Sequence, residues 1–254
     1  MKRLIVLFSL VFVFLLSSIA SAPIKRELER GKNYIKFGVK LSNNLIYFQN
    51  VITLGAIDPT ETIQPEDGKD AFLYKYYSNY NYGSSTGLVV DKRATYRNYF
   101  QRAVIEFDFS SIPSNADVTS VVMDLYCYIV YNKNDVYVYR ILVDWIEDQV
   151  TWSERKSGVS WTTAGCDSVG NDREGTEIGS KYISSTGWQS FGLDADKVEE
   201  WINGSFSNNG MLLAGDYDVY MKFYSSDYGD SSTDPKITIT YTIPSTEGKM
   251  MQIM

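Results

Sequence analysis

Between residues 102 and 128 the chain alternates apolar and polar positions with a period of two. Ala103, Ile105, Phe107 and Phe109 fall on one side and Arg102, Val104, Glu106 and Asp108 on the other, the pattern of a strand with one buried face. Turn formers and Pro113 interrupt it over residues 110–115. Val121, Met123, Leu125, Cys127 and Ile129 then resume it against Val122, Asp124, Tyr126 and Tyr128. Similar short runs recur: KDAFLYKYY from Lys69, TGLVVDK from Thr86, DVYVYRILV from Asp135, MLLAG from Met211, DVYMKFYSS from Asp218 and KITITYTI from Lys236. Many short strands separated by polar loops predict an all-β sandwich or barrel.

One segment breaks the two-residue period. Residues 193–202, LDADKVEEWI, place an Asp cap and acids in the first turns of a short helix. Leu193 and Val198 have the spacing of a hydrophobic staple, and Val198, Trp201 and Ile202 share a face. Asn203-Gly204 end it. Such a helix is expected to plug one end of the sandwich with Trp201, leaving Glu199 and Glu200 on its solvated side.

The N-terminal residues 1–22 combine Lys2 and Arg3, an apolar run from Leu4 to Leu16 and the small-residue site Ala20-Ser21-Ala22, the features of a secretory signal. The expectation is an exported chain, secreted or attached to the cell surface, with the apolar run either cleaved or retained as an anchor. Residues 23–60 form an N-terminal extension. Its charged start, residues 23–32, reads as a short helix or stalk, and YIKFGVKL and LIYFQNVITL within residues 34–54 read as extra strands. These strands are either a hairpin packed on the domain or a surface for self-association with a neighbouring subunit. The main domain spans residues 61–244 and a flexible tail residues 245–254.

Composition narrows the function classes. A net charge of −7 argues against nucleic acid as a partner. The chain has no histidine, which excludes Ser-His-Asp and Cys-His catalytic units and every zinc site that uses histidine. Carboxylate chemistry and oxygen-ligand cations such as calcium remain. The two cysteines, Cys127 and Cys166, either form one disulfide or act as buried apolar residues.

Seven pieces stand in a characteristic order: SNYNYGSS from Ser78, RAVIEFDFSSIP from Arg102, VTSVVMDLY from Val118, VYVYRILVDWIEDQVTW from Val136, SWTTAGCD from Ser160, GWQSFGLDADKVEEWINGSFSNNGMLLAG from Gly187, and the final ITITYTI. Over residues 61–243 the chain resembles the DNRLRE domain, a carbohydrate-binding-module-like group related to the disaggregatase-associated domains of archaeal surface proteins. The resemblance implies a jelly-roll β-sandwich on secreted or cell-surface proteins, usually without catalysis of its own, that in some relatives binds acidic polysaccharide. It also implies that Phe107, Phe109, Ile112, Leu125, Trp145, Trp152, Trp188 and Trp201 pack the core and corners.

Three sets of residues are candidates for function. A polar and aromatic sheet face composed of Arg102, Glu106, Tyr126, Tyr128, Tyr220, Lys222 and Tyr224 offers rings to stack on sugars and cations to pair with uronate carboxylates. Asp67, Asp70, Asp227 and Asp230, with Asp234 nearby, are candidate calcium ligands if the first and last strands meet, although no EF-hand spacing is present. The neighbouring carboxylates Glu147-Asp148 and Glu199-Glu200 are the weakest set, because glycoside chemistry requires a defined separation across the scissile bond. Asn203-Gly204-Ser205 is a glycosylation triplet. The residues point to a non-catalytic module that binds a polysaccharide or cell-envelope glycan, with calcium in a structural role. The alternative is a structural or adhesive subunit that assembles through residues 34–54.

Overall fold

The computed structural model describes residues 24–27, 34–41, 44–53, 59–65 and 69–244. The expected signal segment, Asp67 and the C-terminal tail lie outside these residues. The chain divides into two units, residues 1–57 and 58–254.

The first unit is a three-stranded antiparallel sheet of β1 (Ile24–Glu27), β2 (Tyr34–Leu41) and β3 (Asn44–Thr53) in that order. Strands β2 and β3 are the two runs expected there. The charged start is partly a strand and not a helix, because Ile24 to Glu27 pair in register with Val39 to Lys36 along the edge of β2.

The second unit begins with β4 (Thr60–Ile63), β5 (Asp70–Tyr74), β6 (Gly87–Asp91), β7 (Gln101–Ile105), β8 (Asp117–Asn132) and β9 (Asn134–Arg140). A small hairpin, β10 (Glu154–Lys156) and β11 (Val159–Ser160), precedes β12 (Gly179–Ile183) and β13 (Gly187–Leu193). Helix α1 (Ala195–Ile202), β14 (Met211–Gly215), β15 (Tyr220–Tyr224) and β16 (Lys236–Thr242) complete it. Apart from the hairpin, the strands of this unit form one antiparallel sheet in the order β12-β9-β14-β7-β6-β15-β8-β16-β4, with β13 also on β8 and β5 on β7. Strands β6 and β7 share a single pair, Asp91 with Gln101, and there the sheet turns over on itself.

The two halves of this curled sheet face each other across the main core. Ala103, Ile105, Val136, Val138, Met211 and Leu213 come from one half. Leu88, Val90, Met123, Leu125, Met221, Phe223, Ile237 and Ile239 come from the other. The result is the all-β sandwich expected from the alternation. Helix α1 closes one end. Asp194 caps it by accepting from Lys197 N, and Val198, Trp201 and Ile202 are buried in the main core. Trp201 stacks on Phe109 with ring centroids 5.9 Å apart. Burying three such side chains contributes roughly 1.5–3 kcal/mol each, far more than the intrinsic propensity of an eight-residue helix.

The outward face of the first half is also covered. Val104, at a position read as outward, is fully buried in a second apolar cluster with Ala71, Leu73, Leu212, Trp145, Val150, Trp152, Trp161 and Cys166. The irregular segment between β9 and β12 supplies the three tryptophans and Cys166 to this outer layer. Asp172, itself buried, organises the segment by accepting from the backbone N–H groups of Thr162, Thr163 and Ser168.

Two expectations are corrected here. Cys127 and Cys166 are both free thiols, because they are buried in different clusters on opposite faces of the sheet. Glu200 is not merely solvated. It pairs at 2.6 Å with Arg140, a guanidinium only 1% exposed, which Glu174 also holds through two further hydrogen bonds. Glu199 accepts from Val118 N at 2.8 Å.

Candidate functional site

Where β7 emerges from beneath the outer layer, the sheet and that layer leave an open cleft of about 450 Å³. Its lining includes Lys75, Lys92, Arg102, Arg173, Tyr139 and Trp152, with Phe100, Asp167 and small residues between them. Four cations against one carboxylate make this a positive cleft on a chain of net charge −7.

Each cation is placed by a different element. Arg102 projects from β7 on the side of Val104. Its Nη1 donates to Gly165 O at 2.6 Å, its Nη2 lies 2.9 Å from Asp167 Oδ1, and its guanidinium sits over Trp152. Arg173, from the outer segment, stacks its guanidinium 4.4 Å from the Tyr139 ring centroid and reaches Asp167 at 3.4 Å. Arg173 Nε is buried with no hydrogen-bond partner among the described residues. Lys75 extends past β5 and donates to Arg97 O at 3.2 Å. Lys92 follows β6 and makes neither an ion pair nor a side-chain hydrogen bond among the described residues.

The geometry depends on Gly165. Its φ of +83° lies in the left-handed region, and a Cβ there would come 2.7 Å from the Trp152 ring. Glycine lets the backbone pass close over the indole and turn its carbonyl toward Arg102. Burial raises the pKa of Asp167, but hydrogen bonds and charge from Arg102 and Arg173 outweigh it, so the carboxyl titrates below its ordinary range. It stays ionised at neutral pH and only partly offsets the cations. Burial raises the pKa of Tyr139, against the pull of Arg173 and Arg102, so its hydroxyl stays protonated as a donor.

Beside the cleft lies an exposed tyrosine cluster. The chain that brings in Lys75 also carries Tyr76, Tyr77 and Tyr80, and Tyr99 precedes Phe100. Tyr76 and Tyr99 stack face to face at 4.8 Å with planes 7° apart. Tyr77 meets Tyr76 and Tyr80 edge-on. Tyr76 and Tyr80 are 51% and 65% exposed, an unusual cost for large rings that serve no contact.

Five of the seven expected sheet-face residues do come together, on the other half of the sandwich. Tyr128 and Tyr224 stack at 4.5 Å, Tyr126 lies 5.7 Å from Tyr224, and Trp188 packs edge-on to Tyr126. Lys236 stands 4.2 Å over Trp188, so this indole is an outer-face residue and not a core one. Lys222 and Arg93 flank Tyr220. Gly87 makes room for the ladder, since a Cβ there would meet the Tyr128 hydroxyl at 2.6 Å. Arg102 and Glu106 are not part of this face, because outward on β7 belongs to the opposite half. Glu106 there pairs with Lys69 at 2.9 Å, and Lys69 lies over Trp145.

The acidic residues separate in the same way. Asp70, Asp227 and Glu147 converge, whereas Asp230 folds back onto Ser232, whose N–H and hydroxyl lower its pKa. Burial raises the pKa of Asp70 to about 7, against hydrogen bonds from Ser226. Burial likewise raises that of Glu147. Asn203 is the exposed C-cap of α1 and accepts from Ser205 N.

The cleft residues beyond Arg102 were not foreseen. Lys75, Lys92, Tyr139, Trp152 and Arg173 come from five separate segments, and alternation in one strand says nothing about what covers its outer face. The one available signal was Val104, an apolar residue on the supposedly wet side.

The fold and site together define an all-β sandwich with one covered outer sheet face and an open cationic cleft. The sequence model of the disaggregatase related repeat domain matches residues 81–239, over half of the chain, and the chain belongs to that family. A search of curated proteins found no match. The matched segment includes β6 to β15, the outer layer and all cleft residues except Lys75.

Proposed function

We propose that this protein is a DNRLRE-type, non-catalytic carbohydrate-binding module that is exported and holds an acidic polysaccharide in the Arg102 cleft. The observation that carries this reading is the grouping of Lys75, Lys92, Arg102 and Arg173 around Trp152 and Tyr139, on a chain that is acidic as a whole. Uronate carboxylates match guanidinium forks, and sugar C–H faces match aromatic rings. The Tyr76–Tyr99 pair extends the platform for neighbouring residues of the polymer. The Tyr126–Tyr224 ladder is a second aromatic surface, but its rings already stack on one another.

Pull-down on insoluble or cross-linked polyuronate, beside neutral glucan and chitin, tests the reading. Retention on the polyuronate that declines with added salt is the expected result. Retention on none of them, or equal retention on all, contradicts it.

A further inference from the structure

Away from the cleft, three carboxylates from distant parts of the chain meet. Asp70 opens β5, Glu147 follows Trp145 in the outer segment, and Asp227 lies in the 3-10 turn Ser226–Tyr228. One oxygen from each lies within 4.8 Å of the others. Calcium–oxygen bonds are about 2.4 Å, so two oxygens on one ion are separated by at most about 4.8 Å. The spacing fits a shared ion.

A second, independent feature is the state of Asp70. Its side chain is fully buried, and Oδ2 accepts from Ser226 N at 2.8 Å. Oδ1 is buried with no hydrogen-bond partner among the described residues. Ser226 Oγ lies close enough to favour the charged carboxylate, yet it too is buried without a properly formed hydrogen bond. Buried polar oxygens are almost always satisfied in folded proteins, and a carboxylate left bare is costly. Lys69, which acts electrostatically on Glu147, pairs through its ammonium with Glu106. Asp70 therefore brings to the cluster a buried carboxylate with one unsatisfied oxygen.

We propose that Asp70, Glu147 and Asp227 bind one calcium ion, which pins β5, the outer segment and the Ser226–Tyr228 turn together. The donors are all oxygens, the set that hard divalent cations favour. Asp70 N already donates to Glu147 Oε1 at 3.0 Å, so two of the ligands are held in place by backbone contacts before the ion arrives. Asn81 Nδ2 donates to Glu147 O at 2.5 Å, which links the site to the loop carrying Tyr80 and Tyr82. The ion has a structural role and does not depend on glycan binding.

Calorimetry and thermal unfolding of the chelator-stripped protein, wild type, Glu147→Gln and Asp227→Asn, test the site. Wild type is expected to take up one calcium ion and to gain roughly 3–8 °C in Tm at saturation. Each variant is expected to lose at least about tenfold in affinity and most of that gain. Asp227 is exposed, so its variant folds even if Glu147→Gln does not. No uptake by the wild type at about 10 mM calcium overturns the proposal. Uptake that both substitutions leave unchanged also overturns it.

Discussion

Arg102 and Asp167 form an ion pair of 2.9 Å on the floor of a cleft that holds three further cations. The pair orients the guanidinium, because Asp167 also meets Arg173 and Gly165 O fixes the other terminal nitrogen. One carboxylate shared between two arginines leaves net positive charge facing the opening. A polymer with a regular series of carboxylates complements such a cleft better than a neutral one does.

Lys92 separates binding from folding. It lines the cleft and makes no ion pair or side-chain hydrogen bond among the described residues, so Lys92→Ala removes charge without leaving a protein group unsatisfied. We expect polyuronate affinity to drop about three- to tenfold, with stability changed by less than about 0.5 kcal/mol. Titration calorimetry and chemical denaturation of the same preparation check both halves.

Gly165→Ala tests the floor of the cleft. The substitution places a methyl group against Trp152 at a φ of +83°, so it combines steric overlap with an unfavourable backbone region. A loss of about 1–3 kcal/mol is expected, with weaker binding because the Gly165 carbonyl no longer positions Arg102. Denaturant unfolding measures the loss.

Arg140 is the most consequential buried charge. Arg140→Ala removes the ion-pair partner of Glu174, leaves Glu200 only its 3.3 Å pair with Lys197, and reopens packing against Phe206 and Trp201, for an expected loss of about 3–5 kcal/mol. The pairing also has a pH signature. The hydrogen bond from Arg140 is the largest effect holding the Glu200 pKa below its ordinary value of 4.5. Stability from this pair is fully present above about pH 5 and declines as pH falls through the depressed folded-state pKa. Comparing wild type with Glu200→Gln by unfolding between pH 3 and pH 7 tests this; the two curves are expected to converge at the acid end.

Both thiols are expected to react with a thiol reagent only after unfolding, since burial pushes each pKa upward and neither cysteine is solvent-accessible. Reductant is expected to leave Tm unchanged. A mass shift of two hydrogens on reduction contradicts the assignment.

Much of the scaffold was legible from period-two alternation. Ala103, Ile105, Met123, Leu125, Met221 and Phe223 face the core as their spacing required, and α1 begins directly after its Asp194 cap. What alternation cannot supply is the identity of the opposite face. Arg102 and Tyr126 both alternate outward, yet one reaches a cleft roofed by a segment some 60 residues later and the other an open tyrosine ladder. Strand β13 was missed because GWQSFGL carries Gly and Ser between its buried Gln189, Phe191 and Leu193, which weakens the strand signal. Glu147 escaped as a partner of Asp70 because 77 residues separate them and only the folded sheet brings them together.

The most direct test of the cleft is calorimetric titration of the protein with a polyuronate oligosaccharide, with calcium held constant, for wild type and the double variant Lys92→Ala/Arg173→Ala. The account predicts measurable binding by the wild type that weakens with salt and falls at least about tenfold in the double variant. No binding by folded wild-type protein, or equal binding by the variant, contradicts it.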